Sequence, residues 1–246
     1  MPSVDLNCDM GEGCGNDAEL MDFVSSVNVA CGFHAGDAAT MRKTVDTALE
    51  KSVAIGAHPS FPDRERFGRK AMNLSPQDVY DIVVEQIVAL QEICTVAGGK
   101  MAHVKPHGAL YNQAARDRQL ANAISMAVCD VNKNLVLFGL SGSVMIDEAK
   151  KQGLLTASEV FADRTYQPDG SLTPRSETNA LIRVTDTAVD QVLQMIKNQI
   201  VTTVDGKTLP ITADTICIHG DGENALEFAA AIRRSLLENG VEIASV

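Results

Sequence analysis

Val4-Asp5-Leu6-Asn7-Cys8-Asp9-Met10-Gly11-Glu12-Gly13 and, further on, Val27-Asn28-Val29-Ala30-Cys31-Gly32-Phe33-His34-Ala35-Gly36-Asp37 follow one plan. A short apolar run comes first, then polar groups with glycine beside them. That is the pattern of a buried strand delivering side chains into a cleft at its C-terminal end. Working outward, the same plan recurs. A strand over residues 53–57 ends at His58-Pro59, and one over 100–105 ends at Lys105-Pro106-His107-Gly108. Runs at 135–140 and 155–161 end at Ser141-Gly142-Ser143 and Ala162-Asp163-Arg164. The last, 215–218, ends at His219-Gly220-Asp221-Gly222.

Helical patterns separate these runs. Asp37 is placed to cap a helix over 38–51. Ser75-Pro76-Gln77-Asp78 starts a long helix toward residue 97, with apolar residues at helical spacing, and Gly98-Gly99 stops it. Further helices are expected over 119–132, up to 152, over 186–200 and over 223–238. Residues 180–184 suggest a short strand, and Asp205-Gly206 a small hairpin. Strands alternating with helices, each strand short and apolar, imply parallel strands covered on both faces. Six or seven such units in 246 residues fit an irregular (β/α) barrel of about seven parallel strands, in one domain spanning 1–246. An open doubly wound sheet is the alternative. In both, functional groups belong beyond the C-terminal strand ends.

Composition narrows the function. The charge balance is acidic, 32 Asp and Glu against 21 Lys and Arg, without a basic cluster. This argues against nucleic acid as a partner. The longest apolar runs fall far short of a membrane span, and no export signal is visible. A cytoplasmic location follows as the expectation, and the six cysteines read as reduced thiols rather than a disulfide framework. Cys8, Cys31 and Cys217 read as small core residues.

His34, His58, His107 and His219 each fall at or just past the end of a different strand. Asp5, Asn7, Asp9, Asp37, Lys105, Asp163, Arg164 and Asp221 fall at or near such ends as well. In a barrel all would face one mouth. His103 reads as a structural histidine, on the reading that its strand position alternates with the site-facing set. Imidazoles with carboxylates suit a divalent metal, with His34, His58 and Asp9 as candidate ligands. They equally suit metal-free acid–base chemistry with Lys105 stabilising an oxyanion. Gly11-Glu12-Gly13-Cys14-Gly15 is neither GxGxxG nor a Walker loop, so no phosphate cradle is expected. The charged stretch Asp63-Arg64-Glu65-Arg66, just after His58, is a lid candidate.

These motifs, with Gly56-Ala57-His58-Pro59-Ser60, His103-Val104-Lys105-Pro106-His107-Gly108-Ala109-Leu110-Tyr111 and Glu159-Val160-Phe161-Ala162-Asp163-Arg164, resemble the LamB/YcsF family, which comprises the A subunit of bacterial 5-oxoprolinase. The resemblance implies a seven-stranded barrel of the glycoside hydrolase/deacetylase kind. It also implies ATP-dependent opening of 5-oxoproline to glutamate, with B and C subunits as partners. Ser176-Glu177-Thr178-Asn179 and Gly222-Glu223-Asn224 depart from the family pattern, both in loops. On this reading Asp9 or His107 is the general base and Lys105 stabilises negative charge. His34, His58 and Asp5 or Asp37 position water or hold a metal, and Arg164 pairs with a substrate carboxylate. Asn7, His219 and Asp221 complete the expected substrate contacts. ATP is expected to be handled with the partner subunits, and self-association stays open. So do two other readings, a stand-alone metal-dependent amidohydrolase or deacetylase and a non-catalytic delivery subunit.

Overall fold

Each apolar run forms a strand, and the strands close on one another. In the computed structural model, which describes residues 2–220, 222 and 225–246, the strands are β1 (Ser3–Met10), β2 (Ser26–Ala30), β3 (Ala54–His58), β4 (Met101–Val104), β5 (Val136–Leu140), β6 (Thr156–Phe161), β7 (Ile200–Thr202), β8 (Thr208–Pro210), β9 (Thr215–Ile218) and β10 (Glu242–Ile243). Parallel pairing runs β1-β2-β3-β4-β5-β6-β9, and β9 returns to β1 with Asp5 opposite Thr215. This is a closed ring of seven parallel strands. β10 adds to β1 outside the ring, at Ser3 and Val4. β7 and β8 form the hairpin read from Asp205-Gly206.

The helices are α1 (Asp17–Leu20), α2 (Ala38–Glu50), α3 (Pro76–Val96), α4 (Gly108–Ala114), α5 (Arg118–Asn132), α6 (Val144–Lys151), α7 (Thr185–Asn198) and α8 (Ala225–Glu238). Ser75 and Asp78 make a reciprocal capping box on α3, and Asp37 caps α2 by accepting from the Thr40 amide at 2.8 Å. α4 is an addition to the sequence reading. Its first turn follows His107 directly, and its length is too short for an amphipathic period to register. Residues 180–184 form no strand; Leu181 makes a single bridge to Arg164. No helix among the described residues is long and apolar enough to cross a membrane.

β1 runs on through Asp9 to Met10, because Cys8 and Met10 also find buried places between strand and helices. Alternation then decides what lies inside the ring. Leu6, Cys8, Val27, Val29, Ile55, Ala57, Val104, Leu137, Val160, Ile216 and Ile218 join the apolar cluster. The other set is mostly polar and bonds across the lumen, with Phe138 and Phe161 among it. Successive inward residues on a strand are roughly 6.6 Å apart, so they stack in layers. The lowest holds Asp5, whose carboxylate accepts from Ser25, Ser26 and Thr215. Above it, Asn7 donates to Glu159 at 3.1 Å and accepts from Asn28 at 2.8 Å. The top layer carries Asp9, His58, Lys105 and Cys217. Instead of strands apolar on both faces, the barrel has an apolar outer face and a largely polar lumen.

Candidate active site

Asp9 sits at the floor of a cavity of about 570 Å³ at the C-terminal mouth. One carboxylate oxygen accepts from Lys105 Nζ at 2.8 Å and Asn28 Nδ2 at 2.9 Å; the other lies 3.3 Å from His58 Nε2. Burial pushes the carboxyl up, but the charges of His58 and Lys105 outweigh it and hold Asp9 well below the usual range. Lys105 also lies 2.9 Å from Glu159 and 3.1 Å from Asn7 Oδ1 and Cys217 Sγ. Burial opposes its charge, yet Asp9 and Glu159 keep its pKa well above that of a free lysine. Lys105 is therefore a fixed cation.

Beside this pair three histidines gather around Glu12. His34 Nε2 is 3.0 Å and His107 Nδ1 3.3 Å from Glu12 Oε1, with His58 Nε2 at 3.8 Å. His34 and His107 stack with centroids 3.9 Å apart and planes within 6°. Backbone carbonyls fix two of the tautomers. His58 Nδ1 donates to the Lys105 carbonyl at 2.7 Å, and His107 Nε2 donates to the Phe67 carbonyl at 2.9 Å. Their other nitrogens face each other at 2.9 Å. Burial lowers the pKa of His34 and, with the charges of His58 and His34, that of His107 well below normal; His58 is raised against its burial by Asp9. His34 Nδ1 is buried without a partner among the described residues.

Close to Asp9, His219 also lines the cavity. Its Nδ1 is held 2.8 and 2.9 Å from the two Asp163 oxygens, and its ring stacks on Phe161. Burial raises the Asp163 carboxyl, but the charge of His219 outweighs this and lowers it. An imidazole ligating atom of His219 lies within 4.8 Å of Asp9 and Cys217.

The loop after His58 does lie over the histidines. Phe67, at φ 56°, packs in T-shaped contacts with the rings of His34 and His107. Arg64 ties the loop to the Gly32 and Gly36 carbonyls. Gly68, at φ 62°, packs so closely that a Cβ would come 2.1 Å from Ser60 Oγ.

Of the residues expected at the site, Asp9, His58, Lys105, His107, Arg164 and His219 line the cavity, and His34 lies directly behind His107. Asn7 and Asp5 lie one and two layers deeper and line no part of it, because inward residues on one strand descend away from the mouth. Asp37 is exposed, its carboxylate engaged with Thr40 as a helix cap. Arg164 donates through Nε and Nη2 to the Ala180 and Thr173 carbonyls, so it straps the loop after β6. Asp221 lies outside the described residues. His103 faces the same side as Lys105, because two residues along a strand restore the face. It is seated one layer down, bonded to Asn28 at 2.8 Å and stacked on Phe138. Cys217, read as core, touches Lys105.

Two carboxylates escape the sequence reading. Glu12 sits between two glycines of positive φ, and that flanking is its only mark. Glu159 is a lone charge in the apolar run of β6, and a charge in such a run is the available signal.

A closed seven-stranded parallel barrel with carboxylates, histidines and a buried lysine at its C-terminal mouth defines an irregular (β/α) barrel protein. A family 4 carbohydrate esterase from Streptomyces lividans shares that fold, with a TM-score of 0.51 at 14% identity over 100% of this chain and 93% of that one. The chain belongs to the LamB/YcsF family, whose model matches residues 4–246. It is 55% identical to the A subunit of 5-oxoprolinase from Brevibacillus brevis, over all of this chain and 98% of the relative. The crystal structure of the lactam utilization protein from Thermus thermophilus superposes with a TM-score of 0.93 at 43% identity, covering 99% of this chain and 100% of that one.

Proposed function

We propose that this chain is the A subunit of an ATP-dependent 5-oxoprolinase, opening the lactam of 5-oxo-L-proline to L-glutamate while ATP becomes ADP and phosphate. The observation that carries the reading is the Asp163–His219 pair set close beside the Asp9–Lys105 pair at one cavity, in a chain whose relatives are named for 5-oxoprolinase and for lactam utilization. A lactam resists water because its amide is resonance-stabilised. Phosphorylation of the carbonyl oxygen makes the carbon electrophilic. Water then adds, the ring nitrogen leaves with a proton, and a second water cleaves the resulting acyl phosphate to glutamate and phosphate. With no Walker loop in this chain, the phosphoryl transfer belongs with the B and C subunits.

His219, oriented through Nδ1 by Asp163, is the general acid–base: it takes the proton of the attacking water and returns it to the departing nitrogen. It is preferred to Asp9, whose carboxylate is saturated, and to His107, whose Nδ1 faces His58. Asp9 and Lys105 supply fixed charges beside the reacting carbon. Arg164 and Arg175 both line the cavity wall and are the candidate partners for the substrate carboxylate, Arg164 through the guanidinium N–H groups that its bonds to the Ala180 and Thr173 carbonyls leave over. A cytoplasmic enzyme fits this substrate and its use of ATP.

The test measures 5-oxoproline-dependent ATP hydrolysis and glutamate formation separately, with and without this chain added to the partner subunits. Glutamate formation that requires the chain supports the reading; equal glutamate formation without it overturns it. Amide hydrolysis by the chain alone, without ATP, would instead favour the stand-alone amidohydrolase, a reading favoured by the gathering of His34, His58 and His107 on Glu12.

A further inference from the structure

The contact between His58 and His107 poses a problem of its own. Both rings spend one nitrogen as a donor to a backbone carbonyl. A neutral imidazole has only one N–H, so in the neutral state the two remaining nitrogens, 2.9 Å apart, present lone pair to lone pair. Something positive must lie at that point, either an extra proton or a cation. A proton serves one such contact. Here two further donors aim at the same place, Glu12 Oε1, 3.3 Å from His107 Nδ1, and His34 Nε2, 3.0 Å from Glu12 Oε1.

The spacing supports a cation. Four ligands around a first-row divalent ion at about 2.1 Å stand roughly 3.4 Å from one another in a tetrahedron. The separations among these atoms include 2.9, 3.0, 3.3 and 3.8 Å, and all four ligating atoms lie within 4.8 Å of one another. The surroundings are also those of a ligand set. Metal-binding histidines commonly donate their second N–H to a carbonyl or carboxylate, which fixes ring orientation and tautomer. His58 and His107 both do this, and the carbonyls come from the end of β4 and from the loop over the site.

We infer that Glu12 Oε1, His34 Nε2, His58 Nε2 and His107 Nδ1 form a binding site for one first-row divalent transition-metal ion, Zn²⁺ by donor type. Three imidazoles and one carboxylate suit zinc and cobalt better than the all-oxygen preferences of Ca²⁺ and Mg²⁺. Asp9 lies outside the set, as the neighbour of His58 that pairs with Lys105. The site also explains the position of Glu12: Gly11 and Gly13, both at positive φ, let the chain turn its carboxylate back over β2 and β3. The inference is independent of which amide the cavity takes, and it holds or fails without reference to turnover.

The test uses the full chain, stripped with a chelator, and the metals alone as probes. Elemental analysis and calorimetry with Zn²⁺ should give one ion per chain, and Co²⁺ should give the visible absorption of a nitrogen-rich site of low coordination number. The melting temperature should rise with added Zn²⁺. Glu12→Gln and His107→Ala should each weaken binding at least tenfold, with folding checked by circular dichroism. Cys217→Ser should leave binding unchanged, which separates this set from the neighbouring Asp9, Cys217 and His219. Wild-type chain that takes up no Zn²⁺ or Co²⁺, with an unshifted melting temperature, overturns the proposal and leaves a proton at the contact. Binding lost in Cys217→Ser but kept in Glu12→Gln overturns it as well.

Discussion

Lys105 Nζ lies 2.8 Å from the Asp9 carboxylate and is 3% exposed, so the two form a buried ion pair at the base of the cavity. Glu159, 2.9 Å away, places the Lys105 ammonium between two carboxylates. Removing one member of a buried pair strands the other charge, at about 3–5 kcal/mol. Lys105→Met is therefore expected to lower stability by that order in chemical denaturation, in addition to abolishing turnover. Lys105→Met/Glu159→Gln should recover part of the stability and none of the activity. Unchanged stability in the single variant would show that the lysine charge does not hold this floor together.

In the proposed mechanism Asp163 acts through His219, whose Nδ1 it holds at 2.8 Å. Asp163→Asn keeps the shape but removes the charge that orients the imidazole, and kcat is expected to fall by about 10²–10⁴ with KM little changed. Steady-state kinetics in the complete complex checks this. A rise in KM alone would assign the pair to substrate binding.

His103 gives a pH signature unrelated to turnover. Burial first, then the charge of Lys105, pushes its pKa from 6.5 to about 3. The unfolded chain accepts a proton below about 6.5 and the folded protein refuses it. This contribution is thus complete above that pH and is lost as pH falls from 6.5 toward 3, at about 1.4 kcal/mol per unit. Denaturation curves across that range should be flatter for His103→Gln than for wild type. Parallel curves would mean that the imidazole protonates in place.

Gly56 is the seat of that same ring. A Cβ there would come 2.1 Å from His103 Nε2. Gly56→Ala should cost about 1–3 kcal/mol by overpacking, and His103→Ala in the same chain should relieve part of it. Additive losses in the double variant would count against a direct clash.

The strand-end histidines and Lys105 can be read from the sequence because parallel β/α order converts position at a strand end into position at the mouth. Depth is harder to read. Asp5, Asn7 and Asp9 look equivalent in one run, yet each step of two residues back along β1 goes a full layer further from the cavity, and only Asp9 reaches it. The same rule of two places His103 beneath Lys105. Glu12 is hidden because a glycine-rich loop carries no period, so only tertiary folding shows three imidazoles meeting its carboxylate. Arg164 has the right chemistry for a carboxylate and lines the cavity, but its bonds to the Thr173 and Ala180 carbonyls depend on a loop whose path no local pattern announces.

The pairing of Asp5 with Thr215 spans 210 positions of sequence. At ribosomal rates of about 5–20 residues per second, the first strand waits roughly 10–40 s before its last neighbour has been made. Until then the ring stays open, with β1 presenting Leu6, Cys8 and Met10 on one side and unpaired edge amides along its length. Non-local closure of this kind slows folding and leaves a nascent edge available for wrong pairing. The layered interior that assembles the mouth therefore also makes the newborn chain a natural client for chaperones.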